Sequence, residues 1–150
     1  MLAQAIKRRL SKEENQKGFT LIELLAVIVI LGIIAVIAIP MIGGIIDNTR
    51  KDSDAATARQ IYDASRLYIT SELNGVMETG SVDIAVLKTK KYLENGIVLP
   101  SNKESITGGT VNFTSGELNS TDAVSIKTTT TYKTDAKEFT STEVLNAEIK

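Results

Sequence analysis

The chain has no cysteine, no histidine and no tryptophan, and only two prolines. Without cysteine there is neither a disulfide nor thiol chemistry. An exported domain of this composition must hold together by packing, which points weakly to a Gram-positive source. Without histidine the commonest general base and the commonest metal ligand are both missing. A Ser-His-Asp site is excluded, and a zinc site would have to be all carboxylate. The composition therefore argues against an enzyme, and no metal or other cofactor is expected. Aromatic residues make up 5% of the chain against 43% hydrophobic residues overall. P-loop, Rossmann and cell-wall sorting patterns are absent from the sequence.

The apolar residues are concentrated in one block. From Leu24 to Ile46 no side chain is charged or strongly polar. As a helix, these residues would span roughly 34 Å, enough for a bilayer core of about 30 Å. Hydrocarbon requires the backbone to satisfy its own hydrogen bonds, so helix is the expected state. The run is too long for a secretory h-region. The first 18 residues carry five basic side chains against two acidic ones, a surplus of three positive charges. Against the overall charge of −1, the rest of the chain carries four net negative charges. A basic flank before an apolar span keeps the N-terminus in the cytoplasm. Nucleic-acid binding is not expected, because no cluster of aromatic and basic residues stands outside this flank.

One carboxylate breaks the apolar pattern. Glu23 lies four residues inside the stretch that begins at Phe19, where an ionised group is costly unless paired or near the headgroups. Further on, Pro40 cannot donate to the carbonyl of Val36, and Gly32, Gly43 and Gly44 each lower helix propensity by about 1 kcal/mol relative to Ala.

The run Lys17-Gly18-Phe19-Thr20-Leu21-Ile22-Glu23, followed by an unbroken apolar stretch, resembles the class III signal of type IV prepilins and pseudopilins. The resemblance covers residues 17–51. It implies cleavage by a prepilin peptidase between Gly18 and Phe19 and N-methylation of Phe19. It also implies an assembly role for Glu23 and a helix kink at Pro40. The implied function is that of a pilin, the structural subunit of a type IV pilus, polymerised through its N-terminal helix. The implied partners are copies of itself, the peptidase, an assembly platform and an ATPase. The precursor would be a single-pass protein of the cytoplasmic membrane, and the mature form part of a filament at the cell surface. A pseudopilin of a type II secretion or competence DNA-uptake system fits the same motif. A single-pass anchor for a binding domain explains the apolar span but leaves Gly18-Phe19 and Glu23 as coincidences.

The expected fold is α+β, with a long N-terminal helix whose C-terminal half packs against a small antiparallel β-sheet. Four segments follow: a cytoplasmic leader, 1–18; a membrane or filament-core helix, 19–46; its amphipathic continuation, 47–74; and a small globular domain, 75–150. Ala55, Ala58, Ile61, Tyr62, Ser65, Ile69 and Leu73 share one helix face, and Asn74-Gly75 ends the helix. Asp47, Asp52, Asp54 and Asp63 read as a solvated face rather than a metal site. Ser81 is expected to cap a short helix over 82–92 that buries Val82, Ala85, Val86 and Leu87. Alternation predicts strands at Val111–Phe113 and Val124–Ile126, joined by a turn over 116–120. Further strands are expected at 128–131 and 137–145, the last with Phe139 inward. Asn112 and Asn119 fit the glycosylation sequon, which in a Ser/Thr-rich chain is a weak signal.

Overall fold

The structure is a computed structural model, and it describes Gln4 and residues 20–149. By its internal contacts the chain divides into two compact units, Met1–Gly43 and Gly44–Lys150. One long helix, α1 (Leu21–Glu72), crosses that boundary and contains Pro40. In the first unit none of the described side chains is buried. Leu, Ile and Val residues from Leu21 to Ile42 are exposed all round. This helix is long and apolar enough to cross a membrane. Glycine is not required there by the chain's own contacts, because a Cβ placed on Gly32 or Gly43 meets nothing within 4 Å.

The second unit is α+β. Ala55, Ala58, Ile61, Ala64, Ser65 and Ile69 form the buried stripe of α1. The helix closes where Asn74 and Gly75 take positive φ and the Gly75 N–H donates to the Ile69 carbonyl. The strands are β1 (Thr79–Asp83), β2 (Val98–Leu99), β3 (Glu104–Thr114), β4 (Glu117–Leu118), β5 (Val124–Thr128) and β6 (Lys137–Phe139). The sheet order is β1-β3-β5-β6, all antiparallel, with β2 and β4 pairing to the two ends of β3. Two short helices complete the unit, α2 (Ile84–Thr89) and α3 (Ser141–Asn146).

The register of β3 explains how one strand serves the core along its length. Ile106 pairs with Thr128 but Gly108 pairs with Lys127, so Thr107 is an extra residue. That bulge shifts the inward parity, and Ile106, Val111 and Phe113 are all buried. Opposite Ile126 the strand needs Gly109: its φ is +128°, and a Cβ there would lie 1.9 Å from the Ser125 carbonyl oxygen.

Several local expectations are corrected. Ser81 and Val82 belong to strand β1, and the cap of the following helix is Asp83, whose carboxylate accepts from the Ala85 N–H at 2.7 Å. Strand pairing to β3 outweighs helix propensity at Val82. The helix is correspondingly short and buries Ile84 and Leu87, while Ala85 and Val86 are exposed. The hairpin turn after β3 lies at Ser115-Gly116, both with positive φ, rather than over 116–120. The last predicted strand stops at Phe139, because Thr140 and Glu143 form a capping box that starts α3. Phe139 is buried as expected.

Asp54 is not on a solvated face but fully buried. Its carboxylate accepts from Lys137 Nζ at 2.5 Å and from the Ser101 N–H at 2.8 Å. The Lys137 ammonium also lies 5.3 Å from the Phe139 ring centroid and 5.8 Å from that of Tyr132. One ion pair thus ties α1 to the edge strand β6 and to the turn before β3. In sequence the helix face looks solvated because Asp47 and Asp63 are exposed neighbours; the cation that buries Asp54 is 83 residues away.

Residues 129–131, expected as strand, form a loop held by a carboxylate. Glu104 accepts from the Thr128 and Thr131 hydroxyls at 2.5 and 2.6 Å, and from the Thr131 and Thr130 N–H groups at 2.9 and 3.2 Å. These donors, the Thr128 hydroxyl foremost, hold the Glu104 carboxyl at about 2, below its ordinary 4.5. The folded pKa is depressed, so this stabilisation is complete above about pH 4.5 and is lost as pH falls toward 2. We expect the urea midpoint of the protein to exceed that of Glu104→Gln at pH 6, and the gap to shrink between pH 4.5 and 2. A gap independent of pH would mean that the clamp does not depend on the ionised carboxylate.

Candidate functional site

The head of α1 is built by a local motif. The Thr20 backbone N–H and hydroxyl both donate to Glu23 Oε2 at 2.8 Å, and the Glu23 N–H donates to the Thr20 hydroxyl oxygen at 3.3 Å. The Leu24 N–H donates to the Thr20 carbonyl at 3.1 Å, the first bond of the helical ladder. This is a capping box, with Thr20 as N-cap and Glu23 at the third helical position. It satisfies helix N–H groups that an apolar surrounding leaves without water, and it sets a negative charge at the positive end of the helix dipole.

In sequence Glu23 stands out as a charge in need of a cation, and that reading misses Thr20 as its partner. The signal was present, since Thr-x-x-Glu before an apolar run is the capping-box signature. The same chemistry recurs at α3, where the Thr140 N–H donates to Glu143 Oε2 at 2.8 Å. In the Thr20 box, both bonds to the Glu23 carboxylate converge on Oε2, and among the described residues none is made to Oε1. Among the described residues one carboxylate oxygen is thus committed to the cap and the other accepts no bond.

Of the four residues singled out in sequence, Gly18 and Phe19 lie outside the described residues. Glu23 sits at the helix head beside Thr20. Pro40 lies 17 residues further along α1, about 25 Å at helical rise, and is not near Glu23. Among the described residues, no group of three or more Asp or Glu side chains is placed to hold a metal ion.

Residues 15–39 match the family described as the prokaryotic N-terminal methylation motif. The match spans Gly18, Phe19, the capping box and most of the apolar helix, and ends one residue before Pro40. No curated protein and no solved structure matches the chain. The N-terminal segment is a type IV pilin-like class III signal. Its apolar helix and the small antiparallel sheet together give the α+β arrangement of a type IV pilin. A motif of this kind implies processing by a prepilin peptidase and assembly from a membrane-anchored precursor.

Proposed function

We propose that the protein is a structural subunit of a type IV pilus. It is inserted as a single-pass precursor, cleaved between Gly18 and Phe19, methylated on Phe19 and polymerised through the apolar part of α1. Residues 1–18 are the leader, 19–46 the membrane and filament-core segment, 47–74 its amphipathic continuation, and 75–150 the remainder of the globular domain. The observation that carries this reading is the methylation-motif match over residues 15–39, on a helix whose apolar side chains from Leu21 to Ile42 are exposed among the described residues.

Cleavage removes the basic leader and creates an ammonium at Phe19. Glu23 Oε1 of a neighbouring subunit, which accepts no bond among the described residues, receives such a cation, so the pair neutralises both charges in an apolar core. Pro40 loosens the helix by removing one ladder bond where the segment leaves the bilayer and repacks among its copies. An assembly platform and an ATPase supply the work. The role is structural rather than enzymatic. A pseudopilin shares the motif; its filament would be short and retained at the envelope.

The test is the N-terminal peptide of the protein in membrane and sheared surface fractions, read by mass spectrometry. A chain beginning at methylated Phe19 in the sheared fraction is the expected result. The same terminus confined to the membrane fraction favours the pseudopilin. A chain still beginning at Met1, in cells with an active prepilin peptidase, overturns the reading and leaves a membrane-anchored domain.

A further inference from the structure

Two Asn-Gly pairs stand in the second unit, Asn74-Gly75 and Asn95-Gly96. Such a pair has a chemistry of its own. The backbone nitrogen of the glycine can attack the side-chain amide carbon of the asparagine, and a glycine, lacking Cβ, leaves that approach open. The nitrogen must first give up its proton. The resulting anion is shared, by amide resonance, between that nitrogen and the carbonyl oxygen of the asparagine. What surrounds the N–H and this oxygen decides how readily each pair reacts. Exposure does not separate the two pairs, since all four residues are exposed.

At Asn74-Gly75 the nucleophile is occupied. The Gly75 N–H donates to the Ile69 carbonyl at 3.0 Å, in the turn that ends α1. Losing the proton would cost that bond and set a negative charge against a carbonyl oxygen.

At Asn95-Gly96, in the turn between α2 and β2, the arrangement is reversed. Among the described residues the Gly96 N–H donates to no backbone carbonyl. A Cβ built on Gly96 would meet nothing within 4 Å, so the neighbouring side chain has room to approach. The oxygen of the same peptide unit, the Asn95 carbonyl, lies 3.5 Å from Lys88 Nζ. Lys88 is held there, because Nζ also donates to the Ile106 carbonyl on β3. It forms no ion pair among the described residues, so no carboxylate draws its charge away. An ammonium fixed beside the oxygen where negative charge develops stabilises the anion.

We infer that Asn95 is a site of spontaneous deamidation in the folded protein, promoted by Lys88, and that Asn74 is protected. Hydroxide takes the Gly96 amide proton, and the nitrogen bonds to Asn95 Cγ. The Cγ–Nδ2 bond breaks, and Nδ2 takes a proton from water and leaves as ammonia, closing a five-membered succinimide. Water then opens the ring. Cleavage of the bond from Cγ to the Gly96 nitrogen gives aspartate in the normal backbone. Cleavage of the bond from the main-chain carbonyl carbon gives isoaspartate, with the chain continued through Cγ. Either product places a new carboxylate beside Lys88 and Lys91. The chemistry is independent of whether the protein forms filaments.

The test incubates the full chain in detergent micelles at mildly alkaline pH for some days. Its peptides are read by mass spectrometry for the mass gain of amide-to-acid conversion, and isoaspartate is assayed with an isoaspartate methyltransferase. In the folded protein Asn95 is expected to convert roughly tenfold faster than Asn74, and in guanidinium chloride the two should convert at similar rates. Lys88→Gln should slow Asn95 about threefold, while Lys88→Arg keeps most of the rate. Asn74 reports in the same samples that the fold is intact. Equal rates at the two asparagines in the folded chain, or an Asn95 that survives while the denatured chain reacts, overturn the site. An Asn95 rate unchanged or raised in Lys88→Gln overturns the part given to Lys88.

Discussion

Replacing Asp54 by Ala is expected to cost the second unit about 3–5 kcal/mol, the penalty for removing one partner of a buried ion pair. Asp54 is fully buried, and its removal strands the Lys137 ammonium between α1 and two aromatic rings. It also leaves the Ser101 N–H without its acceptor. For a unit of this size the melting temperature should fall by roughly 15 °C or more. The measurement is thermal unfolding of the full chain in detergent micelles, followed by near-ultraviolet dichroism of the tyrosines. Lys137→Met should be nearly as harmful, since it keeps the apolar stem but leaves the Asp54 carboxylate unpaired. Combining Asp54→Leu with Lys137→Met should recover most of the loss, because the burial penalty of both charges disappears together. A fall of less than about 1 kcal/mol for Asp54→Ala would show that the pair behaves as an exposed one.

On the proposed function, Glu23→Ala is expected to reduce sheared filament yield about tenfold or more, with membrane insertion and cleavage unchanged. Two effects contribute, and Glu23→Gln separates them. Glutamine can still close the capping box with Thr20, so it preserves a local contribution of about 1 kcal/mol. It cannot pair with a neighbour's ammonium, and losing that pair in an apolar core costs more, about 3–5 kcal/mol. Glu23→Gln should therefore assemble nearly as poorly as Glu23→Ala, and Thr20→Ala should retain most of its filaments. Recovery by Glu23→Gln would assign the role of Glu23 to capping alone. Full yield from all three variants would sink the assembly role.

The capping box is legible in residues 20–23, because its whole geometry lies within one helical turn. It is easily passed over, since an acidic residue in an apolar run draws attention to its charge before its hydrogen bonds. The Asp54–Lys137 pair has no such local signature. Nothing about Asp54 distinguishes it in sequence from Asp47 or Asp52, both of which remain accessible to solvent.

What composition and order determined alone are the features whose causes are local. The apolar run from Leu24 to Ile46 requires helix wherever water is absent, and its buried continuation over Ala55, Ala58, Ile61 and Ile69 follows from a 3.6-residue repeat. The signal around Gly18, Phe19 and Glu23 is likewise a matter of spacing. Tertiary structure decided the rest, wherever distant partners compete with local preference. Pairing with β3 drew Val82 out of its expected helix, and Glu104 turned a β-branched threonine run into a clamped loop. Only the folded unit sets the Lys88 ammonium against the carbonyls of both Asn95 and Ile106. Backbone pairing and burial are non-local interactions, and a strand or a buried charge acquires its identity from the residue that arrives opposite it.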